Sequence, residues 1–319
     1  RFGLSGKSLV PLISGTACAI PAVMATRNIE NWKERLITIL VVPFTTCSAR
    51  LPVYLIIIAL VIPQGAIMGL SYQALTLMAL YLMGFGMAIF SAYVLDRVLK
   101  TKHKTFFVVE MPNYKLPLLK NVLITVIEKT KTFVFEAGKI ILAISIILWV
   151  LASYGPGDKF NNAETYIKEA ATFESPDELN DQIASFKLEH SYIGIVGKTI
   201  EPLIKPLGYD WKVGIGLVAS FAAREVFVGT LATIYSVGSA SESENIDTIK
   251  SKMANEKYAD GTKVFTLASG ISLLLFYAFA MQCMSTLAIV KRETKSWKWP
   301  IIQLVGMTAI AYICALIAF

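Results

Sequence analysis

Three long stretches without a charged side chain constrain this sequence more than any other feature. They cover residues 51–95, 264–290 and 299–319. A helix needs about 20 apolar residues to cross a bilayer core, so the first stretch is long enough to cross twice and each of the others once. With 55% hydrophobic and 17% charged residues, the chain is also too apolar for a soluble globular protein.

The same stretches define the fold class. Lipid cannot satisfy backbone polar groups, so segments inside the bilayer must be helices or a closed barrel. The apolar runs lack the alternation of a barrel strand. The sequence therefore predicts an all-α, polytopic helical membrane protein.

Several apolar segments are interrupted, which predicts broken or re-entrant helices. Residues 8–26 contain Pro11, Gly15 and Pro21, and residues 36–62 read as two half-length helices because Pro43 and Pro52 flank the polar residues 45–50. A broken segment near Cys18 and another near Arg224 each precede further spans. Inverted repeats of such segments are common in transporters. The two segments have few identical residues, however, so an inverted repeat and two unrelated segments are both possible interpretations.

The charged residues indicate the topology. Residues 97–132 hold eight Lys or Arg against two acids, whereas residues 155–190 hold three against eight. The positive-inside rule makes the first loop cytoplasmic and the second external. If residues 211–238 cross the membrane once, the basic linker 291–298 falls outside; if they form a re-entrant hairpin, it falls inside. The sequence leaves both alternatives open.

The chain divides into four regions. Residues 1–62 form a first gate region that is incomplete at its N-terminus, and residues 63–132 form a central span with a cytoplasmic loop and an interfacial helix. Residues 133–238 form a second gate region with the external loop 155–190, and residues 239–319 form a polar loop with two spans. The start at Arg1, without an initiator Met or signal peptide, suggests a fragment.

Arg224 and Glu225 are the strongest single functional signal. Each is an ionisable group in the middle of an apolar segment, where such groups usually face a partner or a water-filled path. One interpretation places them in a transport path. The other is a structural ion pair with another helix, through Arg50 and Glu136.

Three of the four cysteines lie at polar or proline-broken sites. Cys47 is surrounded by Thr45, Thr46 and Ser48, with Arg50 three residues later; Cys18 precedes Pro21, and Cys283 follows Gln282. Cysteine is often only a small buried hydrophobe, and that interpretation applies to Cys314, in an unbroken apolar helix. For the other three, a path for a soft metal is an equal alternative, with Met24 and Glu225 as further candidate ligands.

The two histidines, His103 and His190, both fall in predicted loops, which excludes an intramembrane site built from imidazole. A metal path must therefore use thiol, thioether, carboxylate, hydroxyl or backbone oxygen. Thiolate ligands by affinity alone favour Cu(I) or Zn over Fe(II). The residues indicate a soft cation without selecting iron.

Four motifs match one known family: GTACAIPAVMATR at 15–27, CSARLPVY at 47–54, MPNYKLP at 111–117 and REVFVGTL at 224–231. Residues 282–283 (QC) and 296–299 (SWKW) add to them. In this order they resemble the two gate regions, and the region between them, of the bacterial ferrous iron transport protein B family. The resemblance extends from residue 2 to about residue 300.

The resemblance implies an Fe(II) importer of the bacterial cytoplasmic (inner) membrane, with Cys18, Cys47 and Cys283 as iron ligands. Family members carry a G domain that binds GTP and Mg and hydrolyses GTP; its motifs are absent from this sequence, so the chain itself is not expected to be an enzyme. Expected partners are the bilayer, that G domain, a small cytoplasmic accessory protein of the iron transport system and further copies in a homo-oligomer, but no nucleic acid. The resemblance also favours a cytoplasmic C-terminus.

Two other functions compete with iron import. The gate regions resemble the nucleoside-recognition regions of nucleoside carriers, so an organic solute is one alternative. A membrane module that senses iron without carrying flux is the other.

Overall fold

The structure is a computed structural model of the chain. It describes residues 3–63, 65–67, 69–99, 118–156, 158–163, 165, 167, 183, 186–187, 189–221, 224, 226–234, 253, 264–281 and 283–319.

Helices dominate the described residues. In chain order they are α1 (Leu9–Gly15), α2 (Ala19–Ala25), α3 (Trp32–Val41), α4 (Leu51–Val61), α5 (Tyr72–Val98), α6 (Leu119–Ser153), α7 (Asp158–Asn161), α8 (Tyr192–Ile204), α9 (Trp211–Ser220), α10 (Val226–Ile234), α11 (Leu267–Phe279), α12 (Met284–Thr294) and α13 (Lys298–Ala318). Short 3₁₀ turns cover Gly6–Ser8, Thr26–Asn28, Val42–Phe44, Ser48–Arg50 and Lys205–Leu207. Strands β1 (Ala66–Ile67) and β2 (Leu70–Ser71) pair antiparallel before α5.

Four helical segments of the described chain are long and apolar enough to cross a membrane. They are Trp32–Val61, Tyr72–Val98, Leu267–Thr294 and Lys298–Ala318. The first and third are broken spans, α3–α4 and α11–α12. The prediction of an all-α, polytopic membrane protein with broken helices is confirmed.

The first broken segment folds back on itself. Helices α1 and α2 pack against each other, and Lys7, before α1, forms a 2.9 Å ion pair with Glu30, after α2. Its two ends therefore lie side by side, and residues 16–18 form the tip. We call residues 6–28 the first hairpin.

The second hairpin consists of α9 and α10, which also pack against each other. A Cβ added at Gly216 would lie 2.7 Å from the Phe227 ring, so the two arms are in close contact. Ile215 and Ile234 belong to one apolar cluster with Trp211, which places the end of the second arm near the start of the first. Residues 211–234 are thus a re-entrant hairpin, which answers the question that the sequence left open.

The two hairpins have opposite orientations. The first ends beside the start of the broken span α3–α4, and the second precedes the broken span α11–α12, which runs the other way. Contacts follow the same symmetry, because α2 packs on α12 whereas α10 packs on α4. The architecture is an inverted repeat of a hairpin followed by a broken span.

Ion pairs show which ends of the spans share one face of the molecule. Lys33 is 2.6 Å from Asp96, and Arg35 is 2.7 Å from Glu293. The start of α3, the end of α5 and the end of α12 therefore lie together. We call the face formed by residues 27–35, 96–98 and 291–298 the basic face.

The C-terminal helix leaves the basic face. Helix α13 begins at Lys298 and its 21 residues extend about 31 Å. At its far end Phe319 contacts Gly208, and Tyr312 donates a 2.9 Å hydrogen bond to the Leu203 carbonyl. The basic linker thus shares a face with Arg97, as the charge rule prefers, and residue 319 lies on the opposite face.

Helix α6 differs from the expected interfacial helix followed by a separate span. It is one helix of 35 residues, about 52 Å long. Between Leu119 and Ser153 the sequence has Gly138 but no proline, so nothing forces a break. Glu136 lies in this helix, and its side chain is outside the described residues.

Candidate functional site

Breaks in the two hairpins and the two broken spans form the candidate site. They lie at residues 16–18, 45–47, 221–225 and 280–283, of which Ala222, Ala223, Glu225 and Gln282 are outside the described residues. Cys18, Cys47 and Cys283 each occupy the N-cap of the helix that follows a break, in extended backbone. Prolines and residues of low helix propensity explain the positions of Cys18 and Cys47, whereas no proline lies near Cys283.

Backbone hydrogen bonds join each hairpin tip to the break of its neighbouring span. The Ser48 amide and hydroxyl donate to the Ala17 carbonyl at 3.4 and 2.8 Å. In the other repeat, the Met284 amide donates to the Phe221 carbonyl at 3.1 Å. Ser48 and Met284 each follow a break cysteine, so the two contacts are equivalent under the inverted repeat.

Helix geometry puts Cys18 and Cys283 at a similar level. Arg27 and Glu293 are paired, and they lie nine and ten residues after Cys18 and Cys283 on two packed segments. At about 1.5 Å per helical residue, the two cysteines lie at nearly the same height above that pair. The Ser48 contact with Ala17 adds Cys47 to this level.

The three thiols differ in exposure. Cys47 is 5% exposed, whereas Cys18 and Cys283 are half-buried. The Cys283 sulfur lies 3.2 Å from the Thr286 hydroxyl, and none of the four cysteines forms a disulfide. Among the described residues, no three Cys, His, Asp or Glu side chains lie close enough to hold a metal ion. This conformation therefore does not present a complete thiol site within the part of the chain that is described.

Arg224 contacts the end of the first half of the broken span α11–α12. It donates to the Tyr277 carbonyl at 3.1 Å, to the Ala280 carbonyl at 2.9 Å and to the Met281 carbonyl. Its guanidinium also lies 5.3 Å from the centre of the Tyr277 ring. Carbonyls at a helix C-terminus attract cations, and here a guanidinium occupies them.

Arg50 is fully buried and shares one acceptor with Arg224. It donates to the Ala280 carbonyl at 3.2 Å and to the Pro43 carbonyl at 3.5 Å. Its Nε and Nη1 atoms have no hydrogen-bond partner among the described residues. Arg50 therefore joins the region of the first broken span to the break at 280–283, where Arg224 also binds.

Other predicted site residues have different surroundings. Thr46 is buried beside Gly84 of α5, where a Cβ would lie 2.9 Å from the Thr46 hydroxyl. Met24 packs in the apolar contact between α2 and α12, about 9 Å along its helix from Cys18. Cys314 lies in α13 against the core. The structure thus brings Arg50 and Arg224 together at the Ala280 carbonyl, and Ser48 links the break of Cys47 to Ala17, the residue before Cys18.

The sequence did not single out a buried ion-pair cluster at the basic face. Glu293 is 7% exposed as a residue and accepts from Arg27 at 2.9 and 3.0 Å and from Arg35 at 2.7 Å. We call these three residues the clasp. Only the tertiary contact between the first hairpin and α12 reveals it, because in the sequence Glu293 belongs to a charged segment that resembles a solvated loop.

Broken spans and two opposed re-entrant hairpins define a multi-pass membrane protein of the transporter class. Sequence comparisons narrow this class. Residues 1–61 and 134–297 match a family described as "Gate: Nucleoside recognition", and residues 77–129 match "Ferrous iron transport protein B C terminus". The chain belongs to the family of FeoB membrane-domain proteins.

Named relatives are similar over the whole chain. A protein named Fe(2+) transporter FeoB from Leptospira interrogans (serovar Lai) is 44% identical over 100% of this chain and 43% of its own length. The same name is given to a Staphylococcus aureus (strain MSSA476) protein, 33% identical over 100% of this chain and 41% of the relative. A Porphyromonas gingivalis protein, an Fe(2+) transport protein A/Fe(2+) transporter FeoB fusion, is 31% identical over 100% of this chain and 38% of its own.

The chain thus spans less than half the length of these relatives. No solved structure matches it significantly.

Proposed function

We propose that this chain is the permeation domain of an Fe(II) importer. The observation that carries the proposal is the position of Cys18, Cys47 and Cys283, each at the N-cap of the helix that follows a break, in a chain similar throughout to proteins named Fe(2+) transporters. Sulfur ligands and unwound carbonyls at such breaks suit a divalent transition metal more than a hard cation.

In this proposal the metal passes between the hairpin tips and the broken spans. The thiols supply ligands, with Glu225 as a further candidate ligand and Gln282 as a candidate pathway residue from the sequence; both lie outside the described residues. Met24 is a weaker candidate ligand, because its thioether packs in an apolar contact. Ser48 and Thr46 flank Cys47 and stabilise or line its break.

Arg50 and Arg224 fit a gating role better than a ligand role. Both guanidinium groups donate to the Ala280 carbonyl, which a bound cation would otherwise use as a ligand. A metal that binds these carbonyls must displace a guanidinium, so the two arginines would close the path while no metal is bound.

The complete protein adds further expectations. We infer that it lies in the bacterial cytoplasmic membrane and that a G domain outside this chain binds GTP and Mg and drives or gates import. The Porphyromonas gingivalis fusion supports a small accessory protein as a partner. The chain supplies the path, and self-association in the membrane remains part of the proposal.

The test is Fe(II) uptake by the complete protein in proteoliposomes. Cys47→Ser should lower uptake at least about tenfold, because loss of a metal-site interaction of this size typically costs a factor of 10–100. Cys314→Ser is the matched control, since its sulfur lies in an unbroken helix, and uptake should be unchanged. Equal uptake by both variants would overturn the assignment of Cys47.

The same vesicles separate the competing functions. A sensor would change conformation with Fe(II) without metal entry. The family description also mentions nucleosides, so uridine binding is measured in parallel. Uridine binding that Fe(II) does not affect, together with absent iron flux, would favour the solute carrier.

A further inference from the structure

Two adjoining cavities open at the basic face. One, of about 520 Å³, is lined by Arg27, Trp32, Arg35, Arg292, Glu293, Thr294 and Lys295. The other, of about 440 Å³, is lined by Ala288, Lys291, Arg292, Lys295, Ser296 and Trp297. Because they share Arg292 and Lys295, we treat them as one site, the basic cavity.

Cations dominate the lining of the basic cavity. The first part has four cationic side chains against the single carboxylate of Glu293, and that carboxylate already accepts hydrogen bonds from Arg27 and Arg35. The second part adds Lys291 and no acid. The cavity therefore has an excess of positive charge and suits an anion.

The depth of the cavity is that of the lipid headgroups. The candidate spans begin at Trp32 and Lys298 and end at Thr294 on this face. Tryptophans are typical of the membrane interface, and two of them flank the cavity. The Arg35 guanidinium lies 5.7 Å from the Trp32 ring centre, and Lys291 Nζ lies 3.9 Å from that of Trp297.

Lys295 has an unusual backbone for a lysine. It caps α12 in the left-handed conformation, with φ 50°, and is the one non-glycine residue with positive φ in the described part of the chain. Glycine or asparagine is usual at this position. The lysine adds a cation to both parts of the cavity where an uncharged residue would fit the backbone better.

We propose that the basic cavity binds the phosphate group of an anionic phospholipid. Arginine forks match phosphate oxygens, and basic pockets between membrane helices at this level bind anionic headgroups. A lipid there lies against the clasp, between the first hairpin and α12, and holds the two repeats together at the basic face. This site is independent of the metal path.

The experiment measures phospholipid retained by the complete protein after extraction from vesicles of equal phosphatidylglycerol and phosphatidylcholine. Native mass spectrometry counts the bound lipid over a dilution series. The double variant Arg292→Gln/Lys295→Gln should bind phosphatidylglycerol roughly 30-fold more weakly, because it loses two cations near an anionic group. Lys198→Gln/Lys205→Gln, on the opposite face, is the matched control and should bind as the parent does.

A second variant guards against misfolding. Lys295→Gly removes one charge and suits the left-handed backbone, so the protein should remain at least as stable and lose about fivefold in phosphatidylglycerol affinity. Unchanged phosphatidylglycerol retention in Lys295→Gly and in the double variant would overturn the proposal. A further arm compares the unfolding of the protein in phosphatidylcholine with inorganic phosphate and in phosphatidylglycerol. Equal stabilisation of the protein in both would also overturn the proposal, since a free phosphate and not a lipid would then be the ligand.

Discussion

Glu293 is the side chain on which the contact between the repeats at the basic face depends most. Its side chain is 3% exposed, and it is paired with Arg27 and Arg35. Glu293→Gln removes the negative charge that pairs with both arginines. The variant should lower the free energy of unfolding of the complete protein by about 3 kcal/mol. This value is the low end of the range for a broken buried ion pair, because the Arg27 side chain is 41% exposed. Unfolding in mixed detergent micelles measures the loss.

The matched control is Glu30→Gln. Glu30 also pairs with a cation, Lys7 at 2.9 Å, but its side chain is 83% exposed. Exposed pairs contribute about 0–1 kcal/mol, so this variant should unfold almost as the parent does. Equal losses in the two variants would show that burial does not decide the strength of these pairs.

Arg50 and Arg224 should act as one unit. Both donate to the Ala280 carbonyl, so Arg50→Lys and Arg224→Lys should be non-additive, with a coupling free energy above about 0.5 kcal/mol in a double-mutant cycle of unfolding. Arg50→Lys combined with Arg35→Lys is the control cycle, because Arg35 bonds to Glu293 instead. Additivity in both cycles would argue against the shared acceptor.

The sequence located these side chains without revealing their partners. Prolines and polar residues mark the breaks at Cys18 and Cys47, so the positions of the thiols were predictable. The acceptors of Arg50 and Arg224 are backbone carbonyls, which carry no sequence signal. One of them, Ala280, is 230 residues from Arg50, so only the packed fold brings them together.

Helix α5 supports the break at 45–47 through Gly84. A Cβ there would lie 2.9 Å from the Thr46 hydroxyl and 3.1 Å from the Phe44 carbonyl. In Gly84→Ala, overpacking should lower the free energy of unfolding by about 1–3 kcal/mol. The higher helix propensity of alanine offsets roughly 1 kcal/mol of this loss. It should also reduce Fe(II) uptake by shifting the break.

Gly86 provides the control on the same helix. A Cβ at Gly86 meets nothing within 4 Å among the described atoms, so Gly86→Ala should stabilise the protein by up to about 1 kcal/mol. Unfolding of the two alanine variants and their uptake are compared directly. A Gly84→Ala protein as stable as Gly86→Ala would contradict the close contact of α5 with the break.

Some elements were predictable from local sequence and others were not. Pro43 and Pro52 each begin a helical turn, where their missing amide is not needed, so the break between them follows directly. The chain reversals at 16–18 and between α9 and α10 were not predictable, because a hairpin arm and half of a broken span have the same apolar composition. The direction after the break depends on contacts such as Gly216 with Phe227.

The opposed hairpins determine the topology of the whole molecule. Because residues 211–234 return to the face from which they start, the linker 291–298 lies on the same face as Arg97. The positive-inside rule predicts that this face is cytoplasmic. The re-entrant hairpin thus removes the conflict with the positive-inside rule, because a single crossing by residues 211–238 would place the basic linker 291–298 outside.

Single-cysteine labelling tests this topology in the complete protein with its native cysteines replaced. Arg97→Cys and Lys295→Cys should react with a membrane-impermeant maleimide only in inverted membrane vesicles, and Lys205→Cys, beyond α8, only in right-side-out vesicles. All three lysine or arginine side chains are exposed, so accessibility differs only by side. Lys295→Cys and Lys205→Cys labelled from the same side would require residues 211–234 to cross the membrane, and the inverted repeat would then be wrong.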